Sequence, residues 1–553
     1  MRVFAINDLL SKGAITFIVP AFLLGCAKTK VDTNLPVLNT LKSSNSGIRL
    51  IALTGPQQVS AQVGGLTYNL TPNTHTFNYP PLRYTSYAPL PVALPEKVMD
   101  QAGNANIRLI SSFNNGFTAS STSVNQVLRD DPANPTDYYI YPVSQQFGDP
   151  NYQIKAIPRS TTPPVGAGNI KIRLVNYGSA ADAFNRTGPL TLTYSDGKPV
   201  STVTTNVPQG VISDYTEIPY GAYRFRLFNQ SGVEMAETLL PYPYTYGNDL
   251  DNPYGTRPTS IHSYQPGGIY TIFVNPNTIF FSGSTYIAGN SYTVIPDITA
   301  PANIAYGRVQ FVNVMPGATY TLKLGSIPIG SGIGYRGITD YQVVTATGYS
   351  LQLTDQSGQT LATQSITIYP GDNYTVWAYP KNGQPALALV FNELTNPNQG
   401  QKIRFLNVSG NVPFITFMPF NQFGPIVLTY PGDGNDTISA SNATQNLAQG
   451  IPVTHLPYAE FTPASPSSQP PWFANVYQSS VGPPPIVPGT RLVAVKSLQA
   501  GDFVANSSLY LPGDAILRVG EQGVYTAALT GSVDTAYHGT ASMDTLLIVK
   551  HFK

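Results

Sequence analysis

Four segments of the chain open on the same alternation. Gly47-Ile-Arg-Leu-Ile51, Lys171-Ile-Arg-Leu-Val-Asn176, Gly307-Arg-Val-Gln-Phe-Val-Asn313 and Lys402-Ile-Arg-Phe-Leu-Asn407 interleave apolar residues with Arg or Gln. A period of two predicts a strand with one face on a core and the other on polar surroundings. The second and third segments match further. Asp214-Tyr215 is followed by Tyr223 in Gly221-Ala-Tyr-Arg-Phe-Arg-Leu227, and Asp340-Tyr341 at the same interval by Tyr349 in Gly348-Tyr-Ser-Leu-Gln-Leu353. Tyr223, Phe225, Leu227, Tyr349, Leu351 and Leu353 are expected to face inward.

Each of these two segments closes on a Pro-Gly turn that feeds another strand, at Pro266-Gly267 before Tyr270 and at Pro370-Gly371 before Tyr374. Proline presets the first turn angle, and glycine supplies the positive φ of a type II turn. The last segment keeps a weaker form around Gly513 and Gly523-Val-Tyr525. In the first, Gly148-Asp-Pro-Asn-Tyr152 is the best candidate.

These strings resemble the domain-of-unknown-function 4397 family, tandem β-sandwich repeats of exported bacterial proteins and Bacteroidota lipoproteins. The resemblance covers about 168–280 and 305–380, part of 400–553, and little beyond the opening strand in 47–160. It implies an architecture and no catalytic residue. Short strands punctuated by turns independently suggest tandem immunoglobulin-like β-sandwiches. The expected boundaries are 47–165, 168–302, 303–397 and 400–553, the last with a Pro-rich insertion from Leu456 to Gly489. Its prolines favour extended polyproline II.

Composition narrows the class. Only 11% of 553 residues are charged, while Gly and Pro number 48 and 49, so a helical protein is excluded by the shortage of helix formers. With 42% hydrophobic residues the chain can bury cores and is not disordered. Lys+Arg 30 against Asp+Glu 29, with no dense basic run, excludes the phosphate-neutralising footprint of nucleic-acid binding.

The N-terminus predicts an address. A short apolar stretch from Gly13 to Gly25 has signal-peptide length and is too short for a stable membrane anchor. Leu23-Leu24-Gly25-Cys26 resembles the lipobox of bacterial lipoproteins, which implies removal of residues 1–25 and lipidation of Cys26, the only cysteine. The partner so implied is a membrane, reached through the lipid, and the location is the outer membrane. Residues 26–46 read as a polar tether with a reach of about 25 Å. Ala27-Lys28-Thr29-Lys30 is basic where surface-exported Bacteroidota lipoproteins carry acids, which leaves the periplasmic and the surface face both open.

Candidate chemistry is sparse. His75, His262, His455, His538 and His551 show no metal-ligand spacing and are expected in loops or on the surface. No nucleophile elbow or phosphate loop occurs, and no cofactor or metal is expected. Asp214 and Asp340 recur at matching positions, which favours turn-capping carboxylates over catalytic ones. Asp249-Leu-Asp251-Asn252 and Asp433-Gly-Asn435-Asp436 suit either calcium or ordinary Asx turns. Tyr242, Tyr244 and Tyr246 alternate with prolines or Thr. They form either a ligand platform for a glycan or protein partner, or a cover for the end of their own sandwich. Thr437, Thr535 and Thr545 each follow an Asp and resemble the Bacteroidota O-glycosylation motif. The expectation is a non-enzymatic, lipid-anchored envelope protein acting as a structural or adhesive scaffold or binding accessory. The alternative is a glycan-binding lipoprotein of a nutrient-uptake complex.

Overall fold

A computed structural model describes residues 45–53, 58–70, 91–114, 119–143, 149–182, 185–195, 197–235, 262–280, 286–300, 302–394, 401–421, 424–425, 444–451, 459–461, 473–478, 491–494, 523–531 and 546–551. Among the described residues two single 3-10 turns, Glu96–Val98 and Thr202–Thr204, interrupt what is otherwise strand and turn. The all-β expectation holds.

One sheet topology recurs four times. An opening strand (Asn45–Ala52, Asn169–Asn176, Tyr306–Asn313 or Gln401–Asn407) pairs in parallel with a partner strand (Thr136–Pro142, Ile269–Phe280, Asn373–Lys381 or Gly523–Leu529). The partner strand then pairs antiparallel with a last strand (Tyr152–Pro158, Tyr286–Ile298, Gln384–Phe391 or Leu546–Lys550). Short antiparallel strands complete the other edge of each opening strand. We refer to the four units as the first to fourth sandwich.

In the first three sandwiches a second antiparallel layer closes a core. Ile48, Leu50, Val59, Ala61, Ile107 and Leu109 fill the first. Ile172, Leu174, Tyr223, Phe225 and Leu227 lie in the second, and Val309, Phe311, Leu351 and Leu353 in the third. The inward residues read from the period-two pattern therefore line the cores, with Tyr349 half-buried against the third.

The Pro-Gly turns form as the residues require. Gly267 and Gly371 have φ of 83° and 86°. The Gly268 and Asp372 amides donate to the carbonyls of Gln265 and Tyr369, each at 3.1 Å, closing type II turns. The first sandwich departs from expectation. Its parallel partner is Thr136–Pro142, reached from a turn in which the Asn134 amide donates to Asp131. The string Asp149 to Tyr152 instead leads into the last strand. A turn without Pro-Gly left no signature to match.

The larger departure concerns the other face of the opening strands, expected to be polar. Both faces are buried, as in sheets covered on two sides. The strand Tyr306–Asn313 is buried at every position after the first. The opening-strand sheets of the first and second sandwiches pack against each other through Ile51, Tyr139, Ile157, Val175, Phe273 and Ile295. Those of the third and fourth do the same through Val312, Trp377, Val390, Leu406, Ala528 and Val549.

Candidate functional site

The two face-to-face joints concentrate the buried polar chemistry of the described residues. Strand register makes their halves comparable. Arg49 lies opposite Asp137 and Arg173 opposite Thr271. In the other joint Gln310 lies opposite Thr375 and Arg404 opposite Thr526. Directly after each last strand, or at its end, come Arg159, Asp297, Asn392 and His551. Two residues along the opening strand, on the same face, stand Ile51, Val175, Val312 and Leu406, which pair with Tyr139, Phe273, Trp377 and Ala528.

In the first joint these positions are ionic. The Arg49 guanidinium donates from Nε to Asp137 Oδ1 at 2.8 Å and from Nη2 to Oδ2 at 2.5 Å, a bidentate pair. Arg159 donates to the same carboxylate at 2.7 Å. The arms then cross the joint with near two-fold symmetry. Arg49 donates to the Pro296 carbonyl of the second sandwich, and Arg173 to the Pro158 carbonyl of the first, both at 3.0 Å. Tyr139 and Phe273, one from each sandwich, stack at 4.4 Å with an interplanar angle of 11°.

Asp297 is the weakly compensated member. It accepts from Thr271 at 2.7 Å and from the Tyr215 hydroxyl at 2.5 Å. The arginines Arg173 and Arg49 stand off at 3.7 and 3.9 Å. Among the described residues, neither its Oδ1 nor Arg173 Nη2 finds a hydrogen bond. Burial raises its pKa, opposed by the nearby Arg173 charge.

The second joint is mostly neutral. Arg404 donates to the Phe391 carbonyl and the Asn392 amide oxygen of the third sandwich, and to Thr526 Oγ1 of its own at 2.8 Å. His551 Nε2 sits 2.7 Å from Thr526 Oγ1 and 3.5 Å from Arg404 Nη2, while its Nδ1 is 3.3 Å from the Tyr341 hydroxyl. Burial, reinforced by the Arg404 charge, pushes the imidazole pKa well below its ordinary value. Tyr341 also receives a bond from Asn392 at 2.8 Å, and burial pushes its phenol up to about 12.

A third contact joins the two pairs. Arg308 lies over the rings of Tyr220 and Tyr341 at 5.3 and 4.9 Å, a cation between two aromatic faces. It also donates to the Tyr220 carbonyl of the second sandwich. Gly168, at φ 73°, leaves no room for a side chain, since a Cβ would fall 2.5 Å from Val343. Lys550 of the fourth sandwich reaches Ser195 of the second at 3.0 Å, with both groups buried.

Several expectations need correction against this geometry. His551 is not a surface histidine; it is 2% exposed within a joint. Asp214 and Asp340 are exposed, and the tyrosine after each has a structural task of its own. Tyr215 covers Arg173 at 4.5 Å and binds Asp297, while Tyr341 covers Arg308 and binds Asn392. His262 is half-buried on the strand His262–Tyr264. Cys26, Tyr242, Tyr244, Tyr246, Thr437, Thr535, Thr545, His75, His455, His538 and both acidic loops lie outside the described residues. Among the described residues no group of three metal-ligating side chains occurs, and no helix is long and apolar enough to cross a membrane.

Arg308, Gln310, Tyr341, Thr375, Asn392 and Arg404 fall within one stretch that has known relatives. Residues 307–417 match the family model of a domain of unknown function, DUF4397. The DUF4397 match spans most of the third sandwich and continues through the opening strand of the fourth. It therefore covers the third sandwich's side of the second joint and, on the other side, Arg404 and Leu406 but not Thr526, Ala528, Val549 or His551. No curated protein matches the chain.

Proposed function

We propose that this chain is a non-enzymatic, lipid-anchored protein of the outer envelope of a Bacteroidota-type bacterium, serving as a structural or adhesive scaffold. Its four sandwiches are read as tandem DUF4397 units, the first two outside the matched stretch and the fourth only entered by it. The observation that carries the scaffold reading is the pair of buried joints. An array whose neighbours share apolar cores and crossed arginine bonds resists bending, which suits a part that holds position and does not turn over substrate. The sequence motif at Leu23 to Cys26 supplies the anchor, with Cys26 as the acylated residue and the face of the membrane left open.

Metabolic palmitate labelling and surface attachment test this reading together. Wild type should carry lipid and restore attachment to a deletion strain. Cys26→Ala should do neither. Equal labelling of both forms, or attachment independent of the gene, would overturn the proposal.

The second reading is a glycan-binding lipoprotein of a nutrient-uptake complex, with Tyr242, Tyr244 and Tyr246 as one candidate platform. A polar cleft on the first sandwich favours it. Thr437, Thr535 and Thr545 remain the proposed O-glycosylation positions under either reading.

A further inference from the structure

We infer that the first sandwich carries a binding site for a neutral sugar chain on the outer face of its second sheet. The inference rests on the glycan-binding reading above and moves its site away from the tyrosine-rich insertion. The sheet is built from Gln58–Val63, Leu66–Asn69, Asn104–Asn114 and Ala119–Arg129. Its inner face supplies Ala61, Val63, Ile107 and Leu109 to the core.

On the outer face the register aligns four polar side chains. Thr67 lies opposite Gln62, Gln62 opposite Arg108, and Arg108 opposite Asn125. Hydroxyl, amide, guanidinium and amide thus form one row across all four strands, spaced by the roughly 4.8 Å between neighbouring strands. An open cleft of about 720 Å³ runs along this row and also takes in Asn106 and Val127. The Gly64-Gly65 turn, with φ of 55° and 75°, borders it without side chains. Arg108 donates to Ser123 Oγ at 3.3 Å, which steadies the guanidinium along the sheet.

The lining matches sugar chemistry. A sugar hydroxyl donates and accepts at once, and amide side chains answer in both senses while Arg108 adds donors. The lining holds one cation and no carboxylate, so a polyanion finds a single matching charge and a basic peptide none. Val127, opposite Asn106 on the same face and 59% exposed, offers apolar contact for the C–H face of a sugar ring. The corresponding sheet of the third sandwich aligns Pro328, Lys323, Gln352 and Thr363 instead, with one amide in the row.

Affinity electrophoresis of the detergent-solubilised full chain tests the site. The gels contain xylan, mannan, β-1,3-glucan or, as the acidic probe, polygalacturonate. At least one neutral polysaccharide should retard wild type, and Arg108→Ala with Asn125→Ala should weaken that retardation about ten-fold or more at an unchanged melting temperature. Tyr242→Ala, Tyr244→Ala and Tyr246→Ala together should leave it unchanged. If the double variant melts early, Val127→Asp on the same exposed face replaces it. Retardation by polygalacturonate alone, retardation by none of the four, or loss in the tyrosine variant with the Arg108 variant unaffected would each overturn the site. Palmitate labelling in the same preparation reports the anchor separately, so failure of the sugar site and failure of the scaffold reading are distinguishable.

Discussion

The two joints solve one packing problem with different chemistry. In each, two sheets meet on apolar residues, and an arginine crosses to the carbonyl at the far sheet's last strand. The first joint gathers Arg49, Arg159 and Arg173 around Asp137 and Asp297. The second keeps Arg404 and surrounds it with Asn392, Thr526, Tyr341 and His551. Their apolar halves differ as well. Tyr139 stacks on its counterpart Phe273, whereas Trp377 has Ala528 as its counterpart, so a large ring is accommodated by a small partner. What recurs is the crossing arginine with its carbonyl. The counter-charges are interchangeable, because a buried arginine can be satisfied either by carboxylates or by enough neutral acceptors.

The hardest test of the joint is to remove one half. Expressed alone, residues 303–397 would expose Val312, Trp377, Tyr379 and Val390, which are buried in the chain. The fragment should be all-β yet self-associate in sedimentation velocity, while 303–553 should stay monomeric. A monomeric 303–397 fragment with a cooperative melt would show that the sandwiches are independent and the joint incidental.

The joints were only partly legible in the sequence. Period-two alternation located the strands, and Pro-Gly pairs located two turns whose glycines have the required positive φ. Alternation could not say that the arginine face is covered, since arginine between apolar residues reads as solvent-facing. The missed signal was the apolar residue two places on, Ile51, Val175, Val312 or Leu406, sharing a face with Arg or Gln. An aromatic at the same level on the partner strand, such as Phe273 or Trp377, strengthened it. His551 was missed for a related reason. Its burial depends on Arg404 and Tyr341, distant in sequence and brought together only by the sheets.

The ionic joint should be the more brittle to single substitutions. Asp137→Ala leaves Arg49 and Arg159, 14% and 11% exposed, without their carboxylate, and breaking a fully buried pair costs about 3–5 kcal/mol, an upper bound here. Denaturation followed by circular dichroism should show an early transition. Trp377 fluorescence, read in a Trp472→Phe background, should report an unchanged second joint. Equal loss at both joints would mean that the four sandwiches unfold as one unit.

Acid should separate the joints in the opposite sense. His551 has a depressed pKa when folded, so the unfolded chain binds the proton more tightly below about pH 6.5. Its contribution is complete above that pH and falls by up to about 1.4 kcal/mol for each unit below it. Asp297, with a raised pKa, has the reverse sign, since its burial cost is relieved as it protonates in acid. The Trp377 transition should therefore weaken between pH 7 and 5, and His551→Asn should flatten that dependence. A pH-independent Trp377 transition in wild type would refute this assignment.

The smallest effect tests interchangeability itself. Asp297→Asn gives the first joint the residue that stands at this position in the second. The amide oxygen can still accept from Thr271 and Tyr215, and the buried charge disappears together with its desolvation cost. Against this, Arg173 and Arg49 lose a carboxylate, though one at 3.7 and 3.9 Å and not in hydrogen-bond contact. The two terms nearly cancel, so stability at pH 7 should change by no more than about 1 kcal/mol. The reversed acid response should vanish, because the titrating group is gone. A loss near the Asp137→Ala value would show that Asp297 is a counter-ion in its own right, and that the first joint needs both of its carboxylates.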